Sequence, residues 1–179
     1  MEKCYNLVMK EKMIKQEEIF KGKVFTVYKD VVELADGKMA NREHIKHSGG
    51  VCVFAQVGDK VLMVRQFRYS INKEVLEFPA GKLEYGEDPL QAAQRELREE
   101  TGYLAAKMTS LGYFVPTCGY SNEIIYFFQA SELNYVGQDL DPGEFLAVEK
   151  VKLSELKDLI DSNEIIDGKT LVLALKMGL

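Results

Sequence analysis

The sequence has few cysteines, no long apolar run and no excess of positive charge. Its three cysteines, Cys4, Cys52 and Cys118, form no CxxC pair, which argues against a disulfide framework and a zinc ribbon. No run approaches the roughly 18 apolar residues that a membrane span needs, and residues 1–18 lack the apolar segment of a signal peptide. We therefore expect a cytoplasmic protein with reduced thiols.

The charge balance of the chain also restricts its partners. Lys and Arg total 23 against 28 Asp and Glu, which gives a net charge of -5. Non-specific binding to nucleic acid or to an acidic membrane lacks its usual electrostatic driving force at this charge, so we expect neither as a partner. The 179 residues, 46% of them hydrophobic, suffice for one folded domain with a modest extension.

The order of apolar patterns and turn signals predicts a mixed α/β (α+β) fold. Asp36-Gly37 separates two β-rich segments and predicts an N-terminal antiparallel hairpin. Asp88 offers an N-cap, Pro89 suits a first helical position and Gly102 can end the helix. The predicted strands cover 23–34, 39–45, 50–57, 61–67, 75–78, 108–113, 123–130 and 145–151, and two further helices cover 153–162 and 170–177.

Three glutamates crowd the end of the first helix, where the helix dipole opposes negative charge. Glu96 and Glu100 are four residues apart and share a face, and Glu99 lies on its flank. A Glu/Arg-rich helix is by itself most often a solvated face. Convergent carboxylates, however, are also the oxygen ligands that Mg²⁺ binds together with substrate phosphates.

The spacing around these glutamates resembles the Nudix box, G-x5-E-x7-R-E-U-x-E-E-x-G-U, where U is aliphatic. Its seven fixed positions are occupied by Gly81, Glu87, Arg95, Glu96, Glu99, Glu100 and Gly102. Leu97 stands at the first aliphatic position and Tyr103 at the last one. The resemblance to Nudix hydrolases implies an α/β/α sandwich with a mixed sheet. It also implies hydrolysis of a nucleoside diphosphate linked to a second group.

The resemblance implies a site for Mg²⁺ or Mn²⁺ at the helix and the loop before it. A net-acidic pocket would otherwise repel a diphosphate. Carried over by position, Glu96 and Glu100 are the principal metal ligands, with Glu99 and the Ala80 carbonyl as further ones. Glu99 and Arg95 also count among the predicted catalytic residues, and Arg95 is expected to form a buried ion pair with Glu87.

Residues outside the box resemble the ADP-ribose pyrophosphatase branch of the family. Gln66-Phe67-Arg68 and Glu77-Phe78-Pro79-Ala80-Gly81 fit the branch pattern QxR followed by E-(L/F)-P-A-G. The resemblance implies substrate contacts from Arg68, Arg42, Glu123 and, by looser likeness, Phe20. Guanidinium groups suit this role because their fork binds phosphate oxygens bidentately.

An acidic loop at 137–144 is the predicted source of the general base. Its composition is typical of a mobile loop between strands, and the branch takes its base from such a loop. Glu144 is the first candidate, with Asp141 and Asp139 behind it; an ordinary solvated loop is the alternative.

The sequence thus predicts a metal-dependent pyrophosphatase that cleaves ADP-ribose to AMP and ribose 5-phosphate. We expect a dimer-forming strand extension over 1–47 and a Nudix domain over 48–179. The resemblance implies a homodimer in which the extension completes the partner's adenine pocket. Two alternatives stay open, namely another substrate such as GDP-mannose and a non-catalytic module that senses ADP-ribose.

Overall fold

The structure is a computed structural model that describes residues 10–140 and 142–179. Cys4 and Asp141, one of the candidate bases, lie outside the described residues. The chain divides into two compact units. The first comprises 1–47 and 117–123, and the second comprises 48–116 and 124–179. No helix in the described ranges has both the length and the apolarity to cross a membrane.

The first unit contains a three-stranded antiparallel sheet in the order β1-β2-β3. Its strands are β1 (Lys12–Lys21), β2 (Phe25–Glu33) and β3 (Met39–His47). The predicted hairpin is confirmed as β2 and β3, with Gly37 at a φ of 81° in its turn. The sequence did not predict β1, whose residues are all exposed and mostly polar. A strand without a buried face lacks the apolar alternation by which strands are recognised.

The second unit is built on a seven-stranded mixed sheet in which β10-β5-β4-β9-β8 are neighbours, β6 pairs with β5 and β7 pairs with β4. β4 and β9 run parallel, and the other pairs are antiparallel. Its elements are β4 (Gly50–Val57), β5 (Lys60–Arg68), a 3₁₀ turn (Tyr69–Ile71), β6 (Lys73–Glu77), β7 (Ala80–Lys82), α1 (Pro89–Thr101), β8 (Tyr103–Phe114), β9 (Ile125–Tyr135), β10 (Leu146–Lys152), α2 (Leu153–Asp161) and α3 (Gly168–Lys176).

Helices cover both faces of this sheet. Alternate side chains of β4 enter two different cores, because successive residues of a strand point to opposite faces. Cys52 and Phe54 pack with residues of α2 and α3, whereas Val53 packs with Leu97 and its neighbours on α1. Burial of a side chain such as Leu97 contributes about 1.5–3 kcal/mol. The layers are therefore α/β/α, as predicted.

Helix α1 begins and ends where the sequence predicts. The Asp88 carboxylate accepts hydrogen bonds from the backbone N–H groups of Leu90 and Gln91, at 3.0 and 3.2 Å. Gly102 adopts a left-handed conformation with a φ of 77°, and its N–H donates to the Arg98 carbonyl. These two caps fix the register of the helix and thus the direction in which its glutamates point.

Candidate active site

Glu100 is one of the three glutamates near the end of α1, and it is only 2% exposed. Its Oε2 accepts a hydrogen bond from the Ala80 N–H at 2.8 Å. Burial raises the pKa of the Glu100 carboxyl well above its ordinary value, against the lowering effect of the Ala80 N–H. The charges of Glu96 and Glu144 raise that pKa further. The two predicted ligand positions Glu100 and Ala80 are thus in direct contact.

Glu96 is the second buried carboxylate of the helix. Burial raises the pKa of its carboxyl to about 7, although Arg95 attracts the charged form. Glu99 and Glu144 oppose ionisation through their own charges. Such a group binds a proton or a cation more readily than an exposed glutamate does.

Arg95 joins the carboxylates to the loop before the helix. Its Nε and Nη2 donate to the two oxygens of Glu87, at 2.9 and 3.0 Å, so the predicted ion pair is confirmed. Its Nη1 donates to Glu96 and Glu99, at 2.8 and 2.9 Å, and Nη2 also reaches the Lys82 carbonyl. The Glu87 side chain is 13% exposed and that of Arg95 28% exposed, so this pair is largely but not fully buried. One guanidinium therefore fixes both the helix and the loop.

Gly81 lies directly against the carboxylate of Glu96. A Cβ atom at position 81 would stand 1.9 Å from both Cδ and Oε1 of Glu96. In β7, Gly81 pairs with Val51 of β4, so the backbone has little freedom to retreat. The glycine of the motif is thus required by a close approach rather than by an unusual backbone conformation.

The carboxylates suit a divalent cation in chemistry, but they do not form a ready-made cage. Across 10–140 and 142–179, no three acidic, His or Cys side chains are grouped closely enough to hold a metal ion. Glu96 and Glu99 instead bind Arg95. Glu96, Glu99 and Glu100 supply the hard oxygen ligands that Mg²⁺ and Mn²⁺ prefer. A bound cation would compete with Arg95 for two of them.

Arg68, a predicted substrate residue, is held by a buried glutamate. Its Nε and Nη2 donate to the two oxygens of Glu77, both at 2.6 Å. The Glu77 side chain is 1% exposed, whereas that of Arg68 is 41% exposed. These hydrogen bonds raise the pKa of Arg68. The guanidinium is therefore fixed on one edge and open on the other.

Helix α3 supplies the second partner of Glu77. Lys169 Nζ binds Glu77 Oε2 and, at 2.9 Å, Asp167 Oδ1. Burial alone would lower the pKa of Lys169, but the charges of Asp167 and Glu77 outweigh it and raise that pKa. The next residue, Thr170, accepts the Phe78 N–H at 2.9 Å through Oγ1. Two successive residues of α3 thus hold two successive residues before the glycine loop.

The segment after β9 is attached to the end of α1. The Gln138 side chain donates to the Glu100 carbonyl at 2.7 Å, and the Asp139 N–H donates to the Glu99 carbonyl at 3.1 Å. Arg98 also pairs with the Asp139 carboxylate at 2.8 Å. These bonds satisfy carbonyls that a helix end leaves without partners.

Glu144, the first candidate base, acts through its charge on two carboxylates of α1. Its charge raises the pKa of both Glu96 and Glu100. Asp139 is turned toward Arg98, and Asp141 lies outside the described residues. These observations favour Glu144 over Asp139.

The remaining predicted residues belong to the first unit. Arg42 forms a two-fold ion pair with Glu11, through Nε at 2.8 Å and through Nη2. Phe20 is 54% exposed, and its ring lies 6.2 Å from that of Phe25. Glu123 lies 3.6 Å from Nδ1 of His47. Arg42 and Phe20 are thus exposed, and Arg42 would have to leave Glu11 to bind a phosphate.

Sequence reasoning did not single out Lys169, Asp167, Gln138 or Arg98. One local signal does mark Lys169. It stands in the first turn of a helix, where the dipole disfavours positive charge. A lysine there indicates a specific partner, and that partner is Glu77.

Comparisons with known proteins agree with this fold and site. The family model described as the NUDIX domain matches residues 46–171. The chain is 44% identical to the ADP-ribose pyrophosphatase of Bacillus subtilis over 165 residues, which cover 90% of this chain and 89% of that protein. It is 41% identical to the methanol dehydrogenase activator of Bacillus methanolicus, with 92% and 91% of the two chains covered.

A solved structure supports the fold independently. The crystal structure of an ADP compounds hydrolase superimposes with a TM-score of 0.83 at 21% identity, covering 94% of this chain and 92% of that one. Fold and carboxylate site together define an α/β/α hydrolase. The chain belongs to the Nudix family, in its ADP-ribose pyrophosphatase-like branch, and is a Nudix hydrolase. Nudix hydrolases generally depend on a divalent metal, and the buried carboxylates of α1 agree with that.

Proposed function

We propose that this protein hydrolyses ADP-ribose to AMP and ribose 5-phosphate with Mg²⁺ or Mn²⁺. The observation that carries the proposal is the pair of buried carboxylates, Glu96 and Glu100, beside Ala80. The name of the 44% identical relative supports the substrate. One water molecule is consumed, and one P–O bond of the diphosphate breaks.

The metal would be held by Glu96, Glu99, Glu100 and the Ala80 carbonyl. When bound, it would neutralise the diphosphate and polarise its phosphoryl oxygens. Arg95 would release Glu96 and Glu99 to the metal. It would keep its bond to Glu87, so the loop stays attached to the helix.

The chain's own groups supply binding and proton transfer. Glu144 accepts the proton of the attacking water, a role that its half-buried place near Glu96 and Glu100 supports. Arg68 presents the open edge of its guanidinium to the diphosphate. Such positioning and charge stabilisation account for most of the catalysis in phosphoryl transfer.

The first experiment measures AMP release from ADP-ribose with and without Mg²⁺ or Mn²⁺. Glu100→Gln should lose activity by orders of magnitude, whereas Glu155→Gln, an exposed glutamate on α2, should retain it. GDP-mannose and other sugar nucleotides run in parallel. Cleavage of one of these in place of ADP-ribose would contradict the substrate, and binding of ADP-ribose without cleavage would contradict the reaction.

We further propose a homodimer formed through the strand extension over 1–47, which completes the partner's adenine pocket with Phe20 and brings Arg42 to the diphosphate or the terminal ribose. The support is a set of exposed apolar side chains on β1 to β3 and in the segment between β1 and β2. They are Met13, Ile14, Ile19, Phe20, Val24, Phe25 and Met39. An exposed set of this kind is typical of an interface.

Mass by light scattering tests the dimer. Ile14→Glu with Ile19→Glu should give a monomer with weaker ADP-ribose binding, whereas Glu18→Gln on the same strand should stay dimeric. A wild-type monomer would contradict the proposal.

Activation of a dehydrogenase is a second candidate function. The observation behind it is the 41% identical methanol dehydrogenase activator, which covers nearly the whole chain. Adding this protein to a methanol dehydrogenase, with Glu100→Gln as the control, separates activation by hydrolysis from activation by contact.

We also assign the protein to the cytoplasm, in keeping with the free thiols of Cys52 and Cys118.

A further inference from the structure

Four charged groups between β5, β6 and α3 form one chain of contacts. Glu77 accepts two hydrogen bonds from Arg68 and one from Lys169, and Lys169 also binds Asp167. Two positive and two negative charges therefore balance. A buried carboxylate needs partners of this kind because its desolvation is costly.

The shape of this network leaves part of Arg68 available. A guanidinium carries five N–H groups, and Glu77 engages one at Nε and one at Nη2. The two N–H groups of Nη1 and the second of Nη2 make no hydrogen bond to another group of the described residues. Since the Arg68 side chain is 41% exposed, these donors can meet a ligand.

Lys169 determines where Glu77 can place Arg68. Its side chain is 14% exposed, and it is attached to Asp167, the N-cap of α3. Within 10–140 and 142–179, the charged partners of Glu77 are Arg68 and Lys169. Without Lys169, the carboxylate and the guanidinium could move together. The bond to Lys169 fixes the position of Glu77 relative to helix α3.

We propose that Lys169 is a positioning residue that acts through Glu77 to hold Arg68 in the orientation that binds the diphosphate. The proposal rests on the proposed function, in which Arg68 contacts the substrate. Lys169 itself needs no contact with the substrate or the metal.

Lys169→Met tests this role and keeps most of the side-chain length. We expect KM for ADP-ribose to rise about 10-fold or more, within the range typical of residues that orient a ligand-binding group, while kcat changes little. Lys169→Arg should restore most of the binding. Lys176→Met is the matched control, because this lysine of the same helix is exposed and its Nζ donates to the Leu111 carbonyl.

A double-mutant cycle separates positioning from stability. If Lys169 acts through Arg68, Lys169→Met should add little to the KM of Arg68→Lys, because the two residues belong to one chain of contacts. A lowered Tm with unchanged KM in Lys169→Met would overturn the proposal, and so would fully additive effects.

An NMR measurement keeps the inference independent of activity. The Arg68 Nε–H signal, assigned by its loss in Arg68→Lys, should be sharp and slow to exchange in the wild-type protein. It should broaden or exchange faster in Lys169→Met and stay sharp in Lys176→Met. An unchanged signal in Lys169→Met overturns the positioning role, whereas absence of ADP-ribose cleavage by the wild type contradicts the proposed function.

Discussion

Arg98 Nη2 donates to Asp139 Oδ2 at 2.8 Å, which ties the carboxylate helix to the loop that carries Glu144. Arg98 occupies a variable position of the motif, so the motif itself does not require the pair. The bond of Gln138 to the Glu100 carbonyl reinforces the same attachment. The start of this loop is therefore attached to the end of α1.

Breaking the Arg98–Asp139 pair should have a small effect on catalysis. Both side chains are exposed, at 44% and 65%, and an exposed ion pair contributes about 0–1 kcal/mol. We expect Arg98→Ala to lower kcat by no more than about 5-fold, since 1.4 kcal/mol corresponds to tenfold. Steady-state kinetics at low and high salt measure this, and the difference from wild type should shrink as salt screens the pair.

Glu144→Gln should lower kcat by about 10²–10⁴-fold, the usual contribution of a general base. Asp139→Asn should stay within about 5-fold, because its carboxylate serves the exposed pair with Arg98. Comparing kcat for the two variants at saturating ADP-ribose decides which acid is the base. A large loss in Asp139→Asn with a small one in Glu144→Gln would reverse the assignment.

Glu96 should make the metal-free protein less stable at higher pH. Burial raises its pKa from the ordinary 4.5 to about 7, so between these values the folded state holds a proton that the unfolded chain has released. Its contribution to stability is fully present below about pH 4.5 and is lost as pH rises through about 7. Calorimetry without metal should show that the Tm difference between wild type and Glu96→Gln changes between pH 4.5 and about pH 7.

Metal should reverse this trend in the wild-type protein. Cations bind the ionised carboxylates, so Mg²⁺ should raise Tm at pH 8 and much less at pH 5. Glu96→Gln should show a weaker response at both pH values. A Tm difference that is independent of pH would contradict the raised pKa.

Gly81→Ala should displace Glu96 and weaken metal binding. The added Cβ would stand 1.9 Å from the Glu96 carboxylate, and overpacking of this kind costs about 1–3 kcal/mol. Gly168→Ala is the control, because nothing lies within 4 Å of a Cβ at that position. Metal titration followed by Tm measures the effect, and equal metal affinity in the two variants would contradict it.

The sequence predicts those parts of the fold that have local signals. Asp88 and Gly102 bracket α1 because a cap is a contact between near neighbours. The apolar runs of β4 and β5 predict buried strands. The three-residue strand β7 carries no such pattern, since it follows Pro79 and begins at Ala80-Gly81, and β1 has no buried face.

For the site, too, the sequence predicts the features that have local signals and misses the others. The spacing of Glu96, Glu99 and Glu100 along one helix indicates which carboxylates lie together. Arg95 and Glu99 are four residues apart, a spacing that allows an ion pair on a helix. The bond between Arg95 and its neighbour Glu96 depends on side-chain orientation, which spacing does not determine. The bond between Glu77 and Lys169 joins residues 92 positions apart, and no local pattern connects them.

That separation also has a consequence for the timing of synthesis. A ribosome adds about 5–20 residues per second, so Glu77 is made roughly 5–20 s before Lys169. During this interval α1 and the strands β7 to β10 are synthesised, but Glu77 still lacks its bond to α3. The nascent chain therefore completes its carboxylate helix before it makes the lysine that holds Glu77.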